Sequence, residues 1–444
     1  MTVGCEPRAG RLTSPASLPP AATWPDRLGR RVVLAALEHL ADGVVRVVDG
    51  DGRRELGRPA ADGTEATVTV HDPRFWRRAA FGGSIGVAEA YIDGWWSADD
   101  LVALLRIVVR NRPALAGLER WFERLSEPWE RLRHVLRRNS RTGSRRNIVA
   151  HYDLGNDFFA LFLDPGRTYS AALFEHPDQS LEEAQQAKLE RLCRKLALRP
   201  GERVLEIGTG WGSFAEHAAR EHGVHVTTTT ISPAQRAYAC ERIARAGLAD
   251  RVELLALDYR DLPHRLAAGR FDAVVSIEMI EAVGHRFLDT FFGTIGCLLA
   301  PHGRLGLQAI TLRDAYYERA LRSVDFIQRY IFPGSFIPAV SALMASVARS
   351  TDLALVHLED IGPHYATTLH HWRRRLLAAR DALFALGFDA AFLRLWEYYF
   401  AYCEAGFAER ALGDAQLVLA RPGARMAPIL GALEGPDAAT GASA

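Results

Sequence analysis

The stretch Val204-Leu-Glu-Ile-Gly-Thr-Gly-Trp-Gly-Ser-Phe214 decides the fold of this chain. Its apolar beginning is typical of a buried strand, the glycines break that strand into a turn, and the residues that follow favour a helix. Gly208, Gly210 and Gly212 lack the Cβ that would hold a ligand away from the backbone. In a doubly wound α/β sheet, such a turn lies at the carboxyl end of the first strand, where ligands bind.

The spacing of these glycines distinguishes two kinds of ligand. The turn that leads a dinucleotide pyrophosphate onto a helix N-terminus has the spacing Gly-x-Gly-x-x-Gly, whereas this chain has Gly-x-Gly-x-Gly. The tighter spacing is more typical of S-adenosylmethionine (SAM) binding. A purely structural glycine turn is the alternative, and the spacing alone leaves it open.

The bulk composition limits the classes of function. With 444 residues and 48% apolar content, the chain can build two or three domains with substantial cores. The net formal charge of +1 provides no general basic excess, so no nucleic-acid partner is expected. The five cysteines are far apart and form no Cys-x-x-Cys pair, which indicates a reduced, cytoplasmic protein and predicts no metal site.

Strand-like and helix-like segments alternate from residue 147 onward. This alternation predicts an α/β fold in which crossover helices connect a parallel sheet, as in Rossmann-like SAM-dependent methyltransferase domains. The predicted strands cover residues 204–207, 224–228, 252–257, 273–277 and 305–309. Helices are predicted over 181–198, 368–386 and 391–400, and an apolar run at 416–420 follows them.

The whole chain divides into five predicted segments. These are a flexible N-terminal tail (1–30), a small N-terminal α+β accessory domain (31–120), a basic amphipathic helix with a linker (121–146), the catalytic domain (147–422) and a flexible C-terminal tail (423–444). Within the accessory domain, the apolar run 44–48 followed by Asp49-Gly50-Asp51-Gly52 indicates a β-hairpin.

The segment 121–146 allows two interpretations. Its apolar residues recur at spacings of three and four, and seven arginines follow with no acidic residue among them. Such a basic amphipathic element docks on anionic lipid headgroups. The alternative is a helix that packs on the next domain and continues into a solvated basic linker.

Polar residues follow the second and third predicted strands of the catalytic domain. After the second come Thr230 and Ile231, with Gln235 one turn into the next helix. Many Rossmann-type sites have an acid here to hold ribose hydroxyls, and neutral hydrogen bonds from Thr230 and Gln235 would replace it. After the third strand, Asp258 and Tyr259 are placed to contact the adenine amine and ring face.

Two carboxylates follow the fourth strand. Glu278 and Glu281 are three residues apart, directly after an apolar segment, so we expect at least one of them to face the pocket. Exposed acids at a helix start, favoured by the macrodipole, are the alternative.

Taken together, several motifs resemble the cyclopropane fatty acid synthase family, over roughly residues 30 to 422. The motifs are His151-Tyr152-Asp153-Leu154-Gly155-Asn156-Asp157, Thr168-Tyr169-Ser170, 204–212, Asp258-Tyr259-Arg260, Glu281-Ala282-Val283-Gly284, 83–96 and Tyr330-Ile331-Phe332-Pro333-Gly334. Enzymes of this family move a methyl group from SAM to a cis double bond of a membrane phospholipid acyl chain and then close a cyclopropane ring. The resemblance implies a phospholipid substrate, a position peripheral to the inner face of the membrane, with its anionic surface, and a homodimer.

The resemblance also implies the site residues. SAM would contact the residues that line the strand ends, with Tyr169 and Ser170 near its amino-acid end; the full set is Tyr169, Ser170, Gly208, Gly210, Gly212, Thr230, Ile231, Gln235, Asp258 and Tyr259. Family members hold a bicarbonate ion as the base that removes a proton from the new methyl group. Its ligands, the implied catalytic set, would be Ala171, Glu281, Gln308, Ile310 and Tyr365.

Two of these positions depart from the family pattern. The family commonly has Tyr-Ser-Cys where this chain has Tyr169-Ser170-Ala171, and many bacterial members have a histidine at Gln308. Some relatives that make methyl-branched chains, and the plant-like members of the family, share the glutamine. Ala171 keeps its backbone N–H, and Gln308 still donates a hydrogen bond. The predicted bicarbonate site therefore has weaker ligands than the family pattern but keeps its donors.

Several alternatives remain open at this point. Without an effective base, a hydride shift would yield a methylene-branched or methyl-branched chain in place of a ring. A small-molecule N- or C-methyltransferase and a catalytically silent lipid-binding homologue share the same fold. Six aromatic residues either line an acyl channel or belong to the core, namely Tyr316, Tyr317, Phe326, Tyr330, Phe332 and Phe336.

Overall fold

The computed structural model describes residues 21–115 and 154–429. These residues fall into two compact units, and the division between them lies between residues 107 and 123. The basic segment 121–146 and the motif at 151–153 lie outside the described residues, so the predictions made for them stay predictions.

The N-terminal unit is a small α+β structure. Its elements are α1 (Trp24–Leu37), β1 (Gly43–Asp49), β2 (Gly52–Arg58), β3 (Glu65–Val70), α2 (Arg74–Ile92), β4 (Trp96–Ala98) and α3 (Leu101–Arg110). The four strands lie in the order β2-β1-β3-β4. The predicted hairpin is confirmed, because β1 and β2 are antiparallel and Asp49 pairs with Gly52 across the turn.

The predicted N-terminal tail extends too far, because helix α1 already begins at Trp24. A capping box between Thr23 and Asp26 starts this helix, and proline in its first turn needs no hydrogen-bond partner. Gly29 then lets α1 approach α2 closely, since a Cβ there would lie 2.5 Å from the backbone oxygen of Trp76. Packing against α2 therefore orders residues whose Arg- and Pro-rich composition suggested a tail.

The second unit is built on a seven-stranded sheet. Its strands are β5 (Arg203–Ile207), β6 (His225–Thr229), β7 (Val252–Leu255), β8 (Phe271–Ile277), β9 (Leu299–Leu312), β10 (Ala354–Asp360) and β11 (Leu412–Ala420). Their order is β10-β11-β9-β8-β5-β6-β7. The five predicted parallel strands are confirmed as β5 to β9. Strand β11 adds to β9 in antiparallel orientation, and β10 adds to β11 in the same way.

Helices connect these strands and flank the sheet. They are α4 (Asn156–Ala160), α5 (Leu181–Lys195), α6 (Ser213–Glu221), α7 (Pro233–Arg245), α8 (Leu262–Arg265), α9 (Leu288–Leu298), α10 (Asp314–Ala320), α11 (Phe326–Tyr330), α12 (Val340–Ser350), α13 (Gly362–Ala378), α14 (Arg380–Ala385) and α15 (Ala390–Ala408). Val204 and Leu205, successive residues of β5, belong to two different hydrophobic clusters. The sheet is therefore buried on both faces, as its apolar strand sequences require.

The C-terminal tail also begins later than predicted. Arg421 donates hydrogen bonds to the backbone oxygens of Gly296 and Leu299. Beyond it, Met426 and Ile429 pack against the hydrophobic cluster on one face of the sheet. These apolar contacts attach the chain to the core as far as residue 429. Residues 430–444 lie outside the described part.

The strand order creates a crevice between β5 and β8. From β5 the chain moves outward to β6 and β7 on one side, and it then returns to β8 and β9 on the other side of β5. Ligands of open α/β sheets bind at this kind of reversal, outside the carboxyl ends of the strands. In the part of the chain that the structure describes, no helix has the length and apolar character needed to cross a bilayer.

Candidate active site

The glycine turn after β5 forms one wall of the crevice. Gly208, Gly210 and Gly212 have φ values of 106°, 53° and 87°, a backbone region that side-chain-bearing residues rarely adopt. A Cβ on Gly210 would meet no atom within 4 Å, whereas one on Gly208 would lie 3.1 Å from the side chain of Met279. The turn thus packs against the loop after β8 and leaves room for a ligand at Gly210, which fits SAM.

The end of β6 lies beside this turn. The backbone N–H groups of Gly208 and Thr209 both donate to the carbonyl of Thr229, each at 3.1 Å. The Thr230 hydroxyl donates to Gln235 Oε1 at 3.2 Å. Ile231 follows and is half-buried. Ser232, the next residue, caps the N-terminus of α7. The three residues predicted here therefore meet at one edge of the crevice.

The end of β7 departs in part from its prediction. Asp258 accepts two hydrogen bonds from Arg260, at 2.8 and 2.6 Å, so its carboxylate is tied to a neighbouring cation. Tyr259 is buried with its ring edge on Phe291, and its hydroxyl has no hydrogen-bond partner among the described residues. Burial raises the pKa of Tyr259 to about 12, so the phenol keeps its proton and remains a donor.

Glu278, at the end of β8, is the centre of the opposite wall. Its Oε1 accepts hydrogen bonds from the Ala171 N–H and from the Gln308 amide, both at 2.8 Å. Its Oε2 accepts the Tyr365 hydroxyl at 2.7 Å. The residue has a φ of 47°, a strained conformation for a non-glycine residue that costs about 1–3 kcal/mol and is typical of functional sites. Three of the predicted bicarbonate ligands therefore bind a side-chain carboxylate of the protein.

The other two predicted ligands pair with each other. Glu281 Oε1 accepts the backbone N–H of Ile310 at 2.7 Å, and Glu281 Oε2 is buried without a partner in the described residues. Burial and repulsion from Glu278 raise the pKa of Glu281 to about 8, so this side chain is mainly protonated at neutral pH. All five residues of the implied catalytic set therefore lie in one cluster with Glu278.

Strand pairing brings a further polar row into this cluster. Gln416 lies opposite Gln308 in the β9–β11 ladder, and its amide donates to Gln308 Oε1 at 3.1 Å. Gln416 in turn accepts from Lys195 Nζ at 2.9 Å. The amide nitrogen of Gln308 donates its two hydrogens to Glu278 and to Asp414 Oδ2, the latter at 3.0 Å. The row thus fixes the orientation of the Gln308 amide toward the carboxylates.

The cluster holds several carboxyl groups and one buried cation. Burial and the charge of Glu278 raise the pKa of Asp414 well above its usual range. Glu278 receives three hydrogen bonds, which oppose the effect of burial on its own pKa, so we assign the anion to Glu278 and a proton to Asp414. Lys188 is fully buried and donates to Ser170 Oγ at 2.8 Å. Burial lowers the pKa of Lys188 to about 8, although the carboxylates around it raise that pKa in part.

Aromatic rings surround this polar group. The hydroxyl groups of Tyr169 and Tyr399 lie 3.1 Å apart. The Tyr169 ring lies 5.2 Å from that of Trp372 and 6.2 Å from that of Phe332. The Tyr365 ring, on α13, stacks on the ring of Phe407, on α15, with the two centroids 4.4 Å apart. Aromatic faces of this kind suit both a sulfonium methyl donor and a carbocation.

The six predicted channel aromatics do not form this wall as a group. Phe332 contacts Tyr169, as just described, but Tyr317 and Phe336 belong to the hydrophobic core of the sheet. Phe326 is buried against Tyr330 and two tyrosines of α15. The channel interpretation is therefore wrong for Tyr317 and Phe336, because their neighbours are core side chains.

Sequence reasoning missed Asp414, Gln416 and the lysines. Asp414, Gln416 and Lys195 have hydrogen-bond partners more than a hundred residues away along the chain, which no spacing rule detects. Lys188 bonds Ser170, 18 residues away, but two of the carboxylates around it come from distant parts of the chain. One signal was present: Lys188 and Lys195 are the only two lysines among 54 basic residues. Both lie on α5, and both are buried below the cluster, with 0% and 5% of the residue exposed. Arginine supplies every other basic position of the chain.

The fold and the site define the class. A doubly wound sheet extended by antiparallel strands, with a glycine turn at its switch point, is the fold of SAM-dependent methyltransferases, and the aromatic pocket beside it suits transfer of a methyl cation equivalent. This chain is a SAM-dependent methyltransferase.

Comparisons with known proteins identify the family. Residues 139–417 match the family model of mycolic acid cyclopropane synthetase, and the chain belongs to this family. It is 37% identical to the tuberculostearic acid methyltransferase UfaA1 of Mycobacterium tuberculosis over 413 residues, which cover 91% of this chain and 93% of the relative. It is also 37% identical to the cyclopropane-fatty-acyl-phospholipid synthase of Escherichia coli, with 80% and 88% of the two chains covered.

Solved structures agree with this assignment. The mycolic acid cyclopropane synthase CmaA1, complexed with SAH and CTAB, has a TM-score of 0.57 and 31% sequence identity, and it matches 62% of this chain and 98% of its own. The cyclopropane synthase MmaA2 from Mycobacterium tuberculosis has the same TM-score and 30% identity.

Proposed function

We propose that this enzyme methylates the double bond of an unsaturated phospholipid acyl chain and that its product carries a methylene branch. The observation that supports the branch is the position of Glu278. Ala171, Gln308 and Tyr365, which the family resemblance assigned to bicarbonate, all donate hydrogen bonds to this side chain. The Glu278 carboxylate, which is part of the protein, thus occupies the position that the resemblance assigned to a bound bicarbonate ion.

The pocket supports the first half of the reaction. Bound SAM supplies an electrophilic methyl group on a sulfonium centre. The double bond provides the electron pair for the new C–C bond, which leaves a carbocation on the neighbouring carbon of the acyl chain. The faces of Tyr169, Trp372 and Phe332 stabilise this charge electrostatically, and the full burial of Trp372 limits access of water from that side.

The second half of the reaction decides the product. Removal of a proton from the new methyl group closes a cyclopropane ring if it happens at once. If a hydride first moves from the methylated carbon to the cationic carbon, the same proton loss gives a methylene (C=CH2) branch on the chain. Both routes add one carbon and two hydrogens to the chain and release one proton. A methyl-branched chain requires, in addition, a hydride and a proton from a separate reductase.

The geometry around Glu278 favours the hydride shift. Burial raises the pKa of Glu278, and the hydrogen bonds that both carboxylate oxygens accept act in the opposite direction, because they stabilise the anion and moderate its basicity. Its strained backbone and its three donors also hold it in one position, whereas a bound bicarbonate ion is free to approach the methyl group. Slower proton removal leaves time for the shift. The relative UfaA1 is named a methyltransferase and not a cyclopropane synthase, and that name supports a product without a ring.

Ring closure is the second candidate. The similarity to the cyclopropane-fatty-acyl-phospholipid synthase of Escherichia coli supports it. Under this alternative, Glu278 itself removes the methyl proton before the hydride moves, with protonated Asp414 and Glu281 keeping the negative charge on Glu278. The two candidates share every step up to the carbocation, so only the structure of the product separates them.

Analysis of the lipids of a bacterium that lacks its own cyclopropane synthase tests this proposal. Fatty acid methyl esters from cells with and without the gene are compared by mass spectrometry, and any chain that has gained one carbon and two hydrogens is examined by proton NMR. Vinylidene signals support the methylene branch, and upfield ring protons support the second candidate. An unchanged lipid profile, with SAM bound to the purified protein, would direct the search to soluble acceptors.

The membrane partner belongs to the same proposal. We infer docking on the anionic inner face of the membrane, with the basic segment 121–146 as the contact, and a homodimer as in the family. Binding of the full chain to phosphatidylglycerol vesicles should fall steeply as salt rises through physiological ionic strength, because salt screens the attraction between arginines and anionic headgroups. Salt-independent binding in a flotation assay contradicts the electrostatic contact. Light scattering of the purified chain gives the subunit number.

A further inference from the structure

We propose that Glu190, Cys193, His217 and His222 form a zinc site on the flank of the catalytic domain. The thiol of Cys193 and one nitrogen of each imidazole all lie within 4.8 Å of one another. Within residues 21–115 and 154–429, no other group of three or more histidine, cysteine or acidic side chains meets this separation. The inference is independent of the proposed reaction.

Glu190 lies beside the two imidazoles and is the fourth candidate donor, although it lies outside the 4.8 Å group that Cys193 forms with them. Its Oε2 lies 3.1 Å from His217 Nε2 and 2.9 Å from His222 Nε2. Two atoms bound to a tetrahedral zinc ion at about 2.0–2.1 Å lie about 3.3 Å apart, so these separations suit shared ligands as well as hydrogen bonds. One thiolate, two imidazoles and one carboxylate are all groups that zinc accepts.

The four residues come from two rigid helices. Glu190 and Cys193 are three positions apart on α5, so they project from one face of that helix. His217 lies on α6, and His222 is the C-terminal cap of the same helix, where the helix dipole favours a cation. Donors on packed helices hold their separation better than donors on loops, which is what a structural metal site requires.

Burial is graded across the cluster. Cys193 is 0% exposed, whereas each imidazole side chain is 16% exposed. The Cys193 thiol is therefore closed to solvent, and its S–H proton must leave when a metal ion binds. A metal ion that enters from the histidine side would displace this proton to solvent and leave a thiolate bound to the metal.

The site lies away from the crevice. Helix α6 begins just after Gly212 at the carboxyl edge of the sheet and ends at Glu221 toward the amino edge. Nine helical residues span about 14 Å, so a metal held by His222 does not reach the reacting atoms. Its role is to fasten α5, which carries Lys188 and Lys195, to α6, which follows the glycine turn. The cysteine spacing predicted no metal site. That prediction considered only ligands close together in the sequence, whereas the ligands proposed here come from two separate helices.

Cobalt(II) titration of the full-length protein tests the proposal. The chain is freed of metal with a chelator and titrated with Co²⁺, whose visible bands report tetrahedral coordination and whose near-ultraviolet band reports a thiolate ligand. We expect one Co²⁺ per chain, displaced by Zn²⁺, and a higher melting temperature with Zn²⁺. Cys193→Ala should lose the thiolate band and bind Co²⁺ about tenfold or more weakly. Cys240→Ala, a cysteine on α7 outside the cluster, is the matched control.

A second variant is needed because Cys193 lies in the core, where its replacement could disturb folding. His217→Gln with His222→Gln changes partly exposed side chains, and it should lose the tetrahedral bands while its far-ultraviolet circular dichroism stays unchanged. Binding of less than one Co²⁺ per chain by the unmodified protein overturns the proposal. So does a thiolate band that survives in Cys193→Ala, or one that is lost equally in Cys240→Ala. In those cases Glu190 simply accepts hydrogen bonds from two histidines.

Discussion

The two walls of the crevice are built in different ways. The wall formed by β5, β6 and β7 uses glycines, backbone groups and neutral side chains, each from a short stretch just after a strand. The wall formed by β8, β9 and β11 holds the carboxylates, and its members Ala171, Glu278, Gln308, Tyr365 and Asp414 come from across the chain. Under the proposed function, the first wall binds a cofactor that many enzymes share, and the second determines what happens to the substrate.

This difference has a physical basis. A cofactor is held by turn geometry and backbone hydrogen bonds, which local sequence can supply. A base must be held as an anion in an apolar pocket, which requires several donors to converge on it from different directions. Substitutions in the second wall should therefore change chemistry without changing SAM affinity, and the following predictions test that separation.

The largest effect is expected for Glu278→Gln. The amide keeps the volume of the side chain but cannot accept a proton, so turnover should fall by about 10²–10⁴-fold. Release of S-adenosylhomocysteine measures turnover, and calorimetry measures SAM affinity, which should not change. A large loss of SAM affinity would contradict the separation of the two walls.

Glu278→Gly is the informative partner of this variant. Glycine adopts the φ of 47° without strain and leaves the donors of Ala171, Gln308 and Tyr365 facing an open space. Activity should return on addition of bicarbonate, and the product should shift toward the cyclopropane ring. If the glycine variant is as inactive as the glutamine variant at every bicarbonate concentration, the three donors do not form an anion site.

Lys188→Met should cause the next largest effect, on stability. The variant removes a buried cation and leaves Glu278 and the neighbouring carboxyl groups without its charge. Removal of one partner from a buried charge cluster costs about 3–5 kcal/mol, and urea unfolding measures it. Lys195→Met is the matched control: its side chain is less deeply buried and pairs with Glu359 nearer the surface, so its loss should be smaller. Equal losses would mean that charge compensation in the cluster is not what Lys188 supplies.

Tyr365→Phe should reduce turnover by about tenfold to a hundredfold, because a hydrogen bond to a charged group contributes about 1.5–3 kcal/mol. The ring keeps its stack on Phe407, so only the hydroxyl is lost. Since that hydroxyl stabilises the Glu278 anion, its removal raises the pKa of Glu278 further. The acidic limb of the pH–rate profile should move to higher pH. A uniform loss at every pH would indicate a packing effect.

Glu281→Gln should change the pH dependence of stability. The pKa of Glu281 is raised to about 8 in the folded protein, so its contribution is complete below the ordinary carboxyl range and is lost as pH rises through about 8. The glutamine variant lacks this loss. Its stability relative to the unmodified protein should therefore increase between about pH 5 and pH 9 in urea unfolding. Glu206, whose burial also raises its pKa to about 8, is present in both proteins and cancels.

Much of the fold followed from local patterns. The five parallel strands, the hairpin at Asp49–Gly52 and the helix that begins at Leu181 were all indicated by periodicity and by turn or capping residues. Strand β10 was missed because its residues Leu355, Val356 and Leu358 are exposed and do not alternate. The two tails were overextended because composition does not register packing, such as that of Gly29 on Trp76 or of Met426 on the sheet.

The sequence by itself determined the α/β class, the glycine turn, the five parallel strands and the family, because each is carried by motifs whose residues are close together in the chain. The tertiary structure alone decided that Glu278 meets the donors assigned to bicarbonate. It also brought Gln416 beside Gln308 and set the two histidines of α6 against Cys193. These contacts depend on the register of strands and helices that are distant in sequence. That register is set by the packing of the whole core and leaves no mark in any single segment.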